Sequence, residues 1–236
     1  MRCATGAEGP GAGMIELRNL TKVFTLRGRR KVVCDNINLV VPSKTSVALL
    51  GRNGAGKSTL LKILAGNMEP TSGQILTDGT ISWPVGFAGS FHRELTGLQN
   101  VRFVARIYGV DSDAMIDFVE EFAELGQHFR LPVRSYSSGM KSRLAFGVSM
   151  AVPFDTYLVD EVTATGDASF RRKSRTVFRA RMKDAGAFVV SHSMNTIRNL
   201  CDVGMVLENG QATYYDDLEA AIAHHQSNME RRWAPA

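Results

Sequence analysis

The run Ser46-Val47-Ala48-Leu49-Leu50 followed by Gly51-Arg52-Asn53-Gly54-Ala55-Gly56-Lys57-Ser58-Thr59 constrains this chain more than any other stretch. An apolar run ends at a glycine, four residues of any type follow, and then come Gly-Lys-Ser. Beyond them Leu60, Leu61, Ile63 and Leu64 recur at helical spacing up to Gly66. A strand that turns through glycines into a helix aims backbone N–H groups and the positive end of the helix at one point. That is a cradle for phosphate oxygens. Lys57 is placed to reach the β- and γ-phosphates of a nucleotide, and Ser58 offers its hydroxyl to a Mg²⁺ ion bridging them. Gly51 to Thr59 therefore form the candidate phosphate site.

Two more apolar runs end in polar groups. Thr156-Tyr157-Leu158-Val159 leads into Asp160-Glu161, and Ala187-Phe188-Val189-Val190 leads into Ser191-His192. Runs of this kind suit strands buried on both faces, and groups just past such strands sit where open α/β sheets bind ligands. The alternation of strand and helix patterns predicts an α/β protein with a central sheet. Asp160 is the candidate metal partner, directly or through water, and Glu161 the candidate base for an attacking water. His192 is either a satisfied structural histidine or a hydrogen-bond partner of a γ-phosphate. Between the first two of these strands, Gln99 to Ala151 read mainly as helix, a helical lobe.

Composition narrows the function classes. The chain has 236 residues, 44% of them hydrophobic, which suffices for one sizeable core. Its net charge is +5 and its pI about 9.3, which permits nucleic acid or an anionic membrane without choosing between them. Two basic runs, Arg27 to Lys31 and Arg171 to Lys183, are either solvated loops and helix faces or contacts to lipid headgroups or nucleic acid. The longest apolar stretch, Leu144 to Phe154, is interrupted by Ser149 and Pro153 and is shorter than the roughly 20 residues that cross a bilayer. Cys3, Cys34 and Cys201 have neither zinc-site nor disulfide spacing, so a reduced cytosolic setting is expected. Residues 1–13 are Gly-rich and aperiodic and are expected to be a disordered extension or an upstream start, with a strand pattern opening at Ile15-Glu16-Leu17. No secretory signal pattern is present.

With these residues in view, Tyr136-Ser137-Ser138-Gly139-Met140, followed by a helix expected from Lys141 to Ala151, decides a resemblance. The chain resembles the nucleotide-binding subunits of ATP-binding cassette (ABC) transporters. The resemblance implies a P-loop NTPase fold with a central parallel sheet plus a helical subdomain. The ATPase domain would span 14–217, the lobe about 86–153, and 218–236 would form a C-terminal helix and tail. It implies that Ser137, Ser138 and Gly139 form a second anion-binding surface that closes over ATP held by an opposite subunit. Asp167, in Thr163-Ala164-Thr165-Gly166-Asp167, would help to join the two subunits. Phe24 stands where the family has an adenine-stacking tyrosine; as a strand residue packed in the core it reads equally well. The wording of Ile81 to Gly97 and of Asp160-Glu161-Val162-Thr163-Ala164 is similar to exporters of bacterial surface polysaccharides, best to the capsular, polysialic acid type. O-antigen exporters often append a carbohydrate-binding domain, for which no room is expected after Glu208-Asn209-Gly210-Gln211.

One departure stands out. Most cassettes have a metal- and water-contacting glutamine in the loop entering the helical lobe, and none lies between Trp83 and Phe91; Gln74 is earlier and Gln99 later. Residues Trp83 to His92 either touch a membrane partner or pack inside the lobe. The implied cofactors are ATP and Mg²⁺. The implied partners are a second copy of the chain, a multi-span permease, and periplasmic and outer-membrane export components, with no nucleic acid. The implied location is peripheral, on the cytoplasmic face of the bacterial inner membrane. The alternatives are an exporter ATPase for O-antigen or teichoic acid, and a soluble nucleic-acid-associated ABC ATPase. The latter kind usually carries a coiled-coil insertion or two fused cassettes, and neither is seen here.

Overall fold

The computed structural model describes residues 14–26, 28–86, 89, 91–160 and 168–230. The strands among them are β1 (Ile15–Leu26), β2 (Arg29–Val41), β3 (Ser46–Leu50), β4 (Ser72–Thr77), β5 (Ile81–Pro84), β6 (Thr156–Asp160), β7 (Gly186–Val190), β8 (Val203–Glu208) and β9 (Gln211–Tyr215). The α-helices are α1 (Lys57–Leu64), α2 (Gly97–Tyr108), α3 (Ser112–Ala123), α4 (Ser138–Ala151), α5 (Ala168–Arg181), α6 (Met194–Leu200) and α7 (Leu218–Glu230).

The three apolar runs become neighbours. The larger sheet has the order β5-β6-β7-β3-β8-β9, parallel except for β9, which returns antiparallel along β8. β3 and β7 are buried along their whole length and β6 up to Val159. The pleat sends alternate side chains to opposite faces. Val47, Leu49, Leu158 and Phe188 enter a core shared with Leu60 and Leu61 of α1 and with the smaller sheet. Ala48, Leu50, Tyr157, Val159 and Val189 enter a second core shared with Phe129 and Leu144 of the helical lobe.

The smaller sheet, β2-β1-β4, is antiparallel, and of it the sequence shows only the strand pattern opening at Ile15 and Phe24 as a strand residue. Its pattern is broken by register shifts in β1 between Leu17 and Val23. Arg29, Arg30 and Lys31 form the start of β2 and pair with the end of β1, which leaves their side chains exposed on a ladder rather than in a loop.

Caps set the limits of the lobe helices. Thr96 and Gln99 form a reciprocal capping box: the Thr96 hydroxyl accepts from the Gln99 N–H at 3.1 Å and the Gln99 amide oxygen accepts from the Thr96 N–H at 2.8 Å. Gln99 is thus committed to starting α2, while Gln74 sits in β4. The helix expected from Lys141 begins at Ser138 instead, because the Ser137 hydroxyl accepts from the Met140 N–H at 3.2 Å and caps it earlier. Trp83 packs inward: its Nε1 donates to Ser149 Oγ at 2.9 Å and its ring meets Tyr108 and Phe154. Phe91 is buried; Phe87 lies outside the described residues.

Cys34 and Cys201 are buried free thiols, pushed up by burial to about 11 and about 12, which suits packing rather than nucleophilic chemistry. Cys3 and the rest of 1–13 lie outside the described residues. Among the described residues no helix is long and apolar enough to cross a membrane.

Asn100 ties the loop that enters the lobe. It is 2% exposed; its Oδ1 accepts from the His92 N–H at 2.8 Å, and its Nδ2 donates to the carbonyls of His92 (3.1 Å), Leu95 (3.3 Å) and Thr96 (2.9 Å). Asn100→Ala strands several of these groups in a buried setting, so stability should fall by about 2–4 kcal/mol. Urea unfolding of the two proteins measures the difference.

Candidate functional site

Strand order brings the predicted groups to one sheet edge. β6, β7 and β3 are adjacent and parallel, so Asp160, Ser191-His192 and the loop starting at Gly51 leave from the same carboxyl edge.

The loop between β3 and α1 needs its glycines for space as well as for torsion. Gly51 has φ +150°, and a Cβ there would sit 2.4 Å from the Leu207 carbonyl oxygen of β8. Gly56 has φ +114°, and a Cβ there would sit 2.2 Å from Val33 Cγ1 of β2. Inside the loop the Ala55 N–H donates to the Arg52 carbonyl at 3.1 Å. The Lys57 ammonium donates to the carbonyls of Gly51 at 2.6 Å and Arg52 at 3.0 Å, so the cation is held in the bowl of the loop. Gly56 is the N-cap of α1 and provides no capping side chain, and the first turn carries no acid, which leaves the helix end electropositive.

A cavity of ≈ 380 Å³ opens above this loop. Asn53, Gly54, Gly56, Lys57, Ser58 and Thr59 form its floor, and Asp160, Val190 and His192 one wall. Phe24, Lys31 and Val33 of the smaller sheet form the opposite wall. Phe24 is 39% exposed with the Lys22 ammonium 5.1 Å from its ring centroid, so it is a cavity-wall aromatic and not a core residue. Lys31 was not anticipated. In the sequence it belongs to a basic run that suits a solvated loop or contact to lipid or nucleic acid, and only the hairpin pairing that turns it toward the loop reveals it.

Other predicted residues lie elsewhere. Gly51 does not line this cavity and lies against the Leu207 carbonyl of β8. Arg52 and Ala55 border a second cavity of ≈ 670 Å³, with Glu208, Asn209 and Asn228. The α7 helix therefore lies beside the loop, and its His225 is held below the usual imidazole range, first by burial and then by the charge of Lys57. Ser137 and Ser138 are exposed and Gly139 half-buried, and none of the three lines the phosphate cavity. Glu161 and Asp167 lie outside the described residues.

The donors suit Mg²⁺. Ser58 and Asp160 offer hard oxygens to one cavity, and among the described residues no group of three His, Cys, Asp or Glu side chains makes a protein cage. An ion that completes its shell with phosphate oxygens and water needs no more.

A Gly-x-x-x-x-Gly-Lys-Ser loop that joins a buried parallel strand to a helix, with its lysine folded into the bowl, is the arrangement of a P-loop NTPase. The ABC transporter family model matches residues 34–164, more than half of the chain. The polysialic acid transport ATP-binding protein KpsT of Escherichia coli is 49% identical over 216 residues, spanning 90% of this chain and 96% of that protein. The capsule polysaccharide export ATP-binding protein CtrD of Neisseria meningitidis serogroup B is 43% identical over 91% of this chain and 99% of its own length. Among solved structures, the dimeric post-hydrolysis ATP-binding cassette MJ0796 bound to ADP and Pi superimposes with TM-score 0.71 at 21% identity, over 85% of this chain and 98% of that one. The chain belongs to the ABC transporter family.

Two substitutions separate torsion from crowding. Gly54→Ala meets nothing nearer than the Lys31 ammonium at 3.9 Å, so it should cost only the left-handed torsion, about 1–2 kcal/mol. Gly56→Ala adds the clash with Val33 and should cost about 2–5 kcal/mol. Thermal melts with and without a polyphosphate anion should also show a smaller ligand-induced shift for Gly56→Ala.

Proposed function

We propose that this chain is the ATP-hydrolysing subunit of a capsular polysaccharide exporter. It works as a pair beneath a separate membrane-spanning permease, peripheral to the cytoplasmic face of the bacterial inner membrane. The observation that carries the chemistry is the ≈ 380 Å³ cavity in which Lys57, Ser58, Asp160 and His192 face one space above the glycine loop. The cargo rests on the near full-length similarity to the polysialic acid and capsule export proteins.

Each side chain has a proposed task. The loop N–H groups and Lys57 hold the phosphates, and Phe24 offers an aromatic face to the base. Ser58 and Asp160 hold Mg²⁺, which when bound neutralises charge on the β- and γ-phosphates. Glu161, assigned from its position after Asp160 in the sequence, takes a proton from the attacking water. His192 hydrogen-bonds the γ-phosphate. Ser137, Ser138 and Gly139 act on nucleotide held by the other copy, and Asp167 helps to join the copies. Differential affinity of ATP for the open and closed pair is the free energy available to the permease. Periplasmic and outer-membrane components would complete the export route.

A nucleic-acid-associated ATPase is the rival use of the same chemistry. The transport proteins at 43–49% identity favour the exporter.

Two results test the site. Lys57→Ala removes charge-assisted hydrogen bonds to phosphate and should weaken ATP binding about 10- to 100-fold. Glu161→Gln should keep binding and lower turnover by at least about 100-fold. Isothermal titration and phosphate release measure the two, and unchanged values in both variants would refute the assignment. His192→Ala should lower turnover with nearly unchanged ATP affinity, and normal turnover would make His192 structural. For the cargo, replacing the native gene with the Glu161→Gln form should abolish surface capsule and leave polymer inside the cell. Normal capsule would rule the export role out.

A further inference from the structure

The positive charge of this chain is concentrated on one helix. Residues 168–183 hold seven Arg and Lys and no acid, against a whole-chain net charge of +5, so the remainder is net acidic. Two of these cations are used inside the fold. Lys173 Nζ pairs with Glu124 at 2.7 Å and donates to the Glu121 carbonyl at 2.8 Å, and Arg181 Nε donates to the Met150 carbonyl at 2.8 Å. With Phe170 against Phe122 at 5.2 Å and Phe178 buried, they fix which face of α5 looks outward.

That outward face carries Arg171, Arg172, Arg175 and Arg179, with Lys183 just past the helix end, all exposed. None forms an ion pair with a described residue. At 100° per residue the four arginines fall within an arc of about 100° and extend about 12 Å along the axis. Like charges so crowded repel one another, and nothing in the packing of α5 requires them, since its buried residues are Phe170, Ser174 and Phe178.

We propose that this face of α5 is a docking surface for anionic phospholipid headgroups. The proposal rests on the reading that the chain works beside a bilayer, but not on its hydrolysing ATP. The similarity to export proteins and the lack of an exposed ring on the helix favour a bilayer over nucleic acid. The face is the exposed side of a helix whose other side is tied into the body, so it can lie flat on a surface. The other exposed residues of the helix, Ser169, Thr176 and Ala180, are small, and both its aromatics are buried, which leaves no ring for stacking on bases. The ion pairs that would neutralise a merely solvated helix are missing from this face among the described residues. Each cation brought to such a membrane strengthens binding about fivefold, and salt screens the effect within a Debye length.

The test is co-sedimentation of the full chain, without nucleotide, with vesicles of phosphatidylcholine containing phosphatidylglycerol, and with vesicles of phosphatidylcholine alone. The protein should bind the anionic vesicles, leave the neutral ones, and be released as salt rises. Replacing Arg171, Arg172, Arg175 and Arg179 by Gln together should weaken binding by at least about tenfold. Arg29→Gln with Arg30→Gln, equally exposed but on β2, should leave it within about twofold. Equal binding to neutral vesicles, no release by salt, or full binding by the quadruple variant would overturn the proposal. So would capture by soluble DNA without any sedimentation with vesicles. Phosphate release measured in solution on the quadruple variant should match the unaltered protein. If the ATPase reading fails in Lys57→Ala while vesicle binding persists, the two proposals separate.

Discussion

The phosphate loop is wedged between two sheets. On one side the backbone at Gly51 lies against the Leu207 carbonyl of β8, and on the other Gly56 lies against the Val33 side chain of β2, each so close that no Cβ fits. The two sheets can close this tightly on the loop only because both positions are glycine. The Asp35 N–H to Gly210 carbonyl bond, at 2.8 Å, ties the two sheets near the same place. Core packing and the chemistry of the site are therefore one constraint. The sheet that supports Gly51 supplies Asp160 and His192, and the sheet that crowds Gly56 supplies Phe24, Lys31 and Val33.

The segment Ser137-Ser138-Gly139 presents small side chains at the start of α4, yet it lies outside the phosphate cavity. The Ser137 hydroxyl already accepts from the Met140 N–H, so in the proposed pair the residues beside it are the part left for an external anion. A helix start without an acid in its first turn favours such an anion. In the proposed pair these two incomplete surfaces complete each other.

Legibility in the sequence followed burial. β3, β6 and β7 could be read because they are enclosed on both faces and so have near-continuous apolar runs, and the polar residues that end them stood out. The antiparallel sheet was hidden because register shifts in β1 break strict alternation and because β2 is exposed along much of its length. Lys31 was hidden for the same reason, since charge in a run reads as solvent until pairing shows which way it turns. The start of α4 was misplaced by three residues because the cap is a single serine among small residues, a local hydrogen bond that periodicity cannot reveal. Trp83, on the stretch read either as a partner contact or as lobe packing, is settled inward by its bond to Ser149.

The most direct measurement mixes two inactive proteins. Lys57→Ala spoils one copy's phosphate loop and leaves its Ser137-Ser138-Gly139 surface whole, whereas Ser138→Arg does the reverse. Each alone should release no phosphate from ATP, and a mixture should recover hydrolysis, because a mixed pair contains one intact loop facing one intact surface. Absence of recovery at every mixing ratio, with both variants folded, would contradict a site shared between two copies.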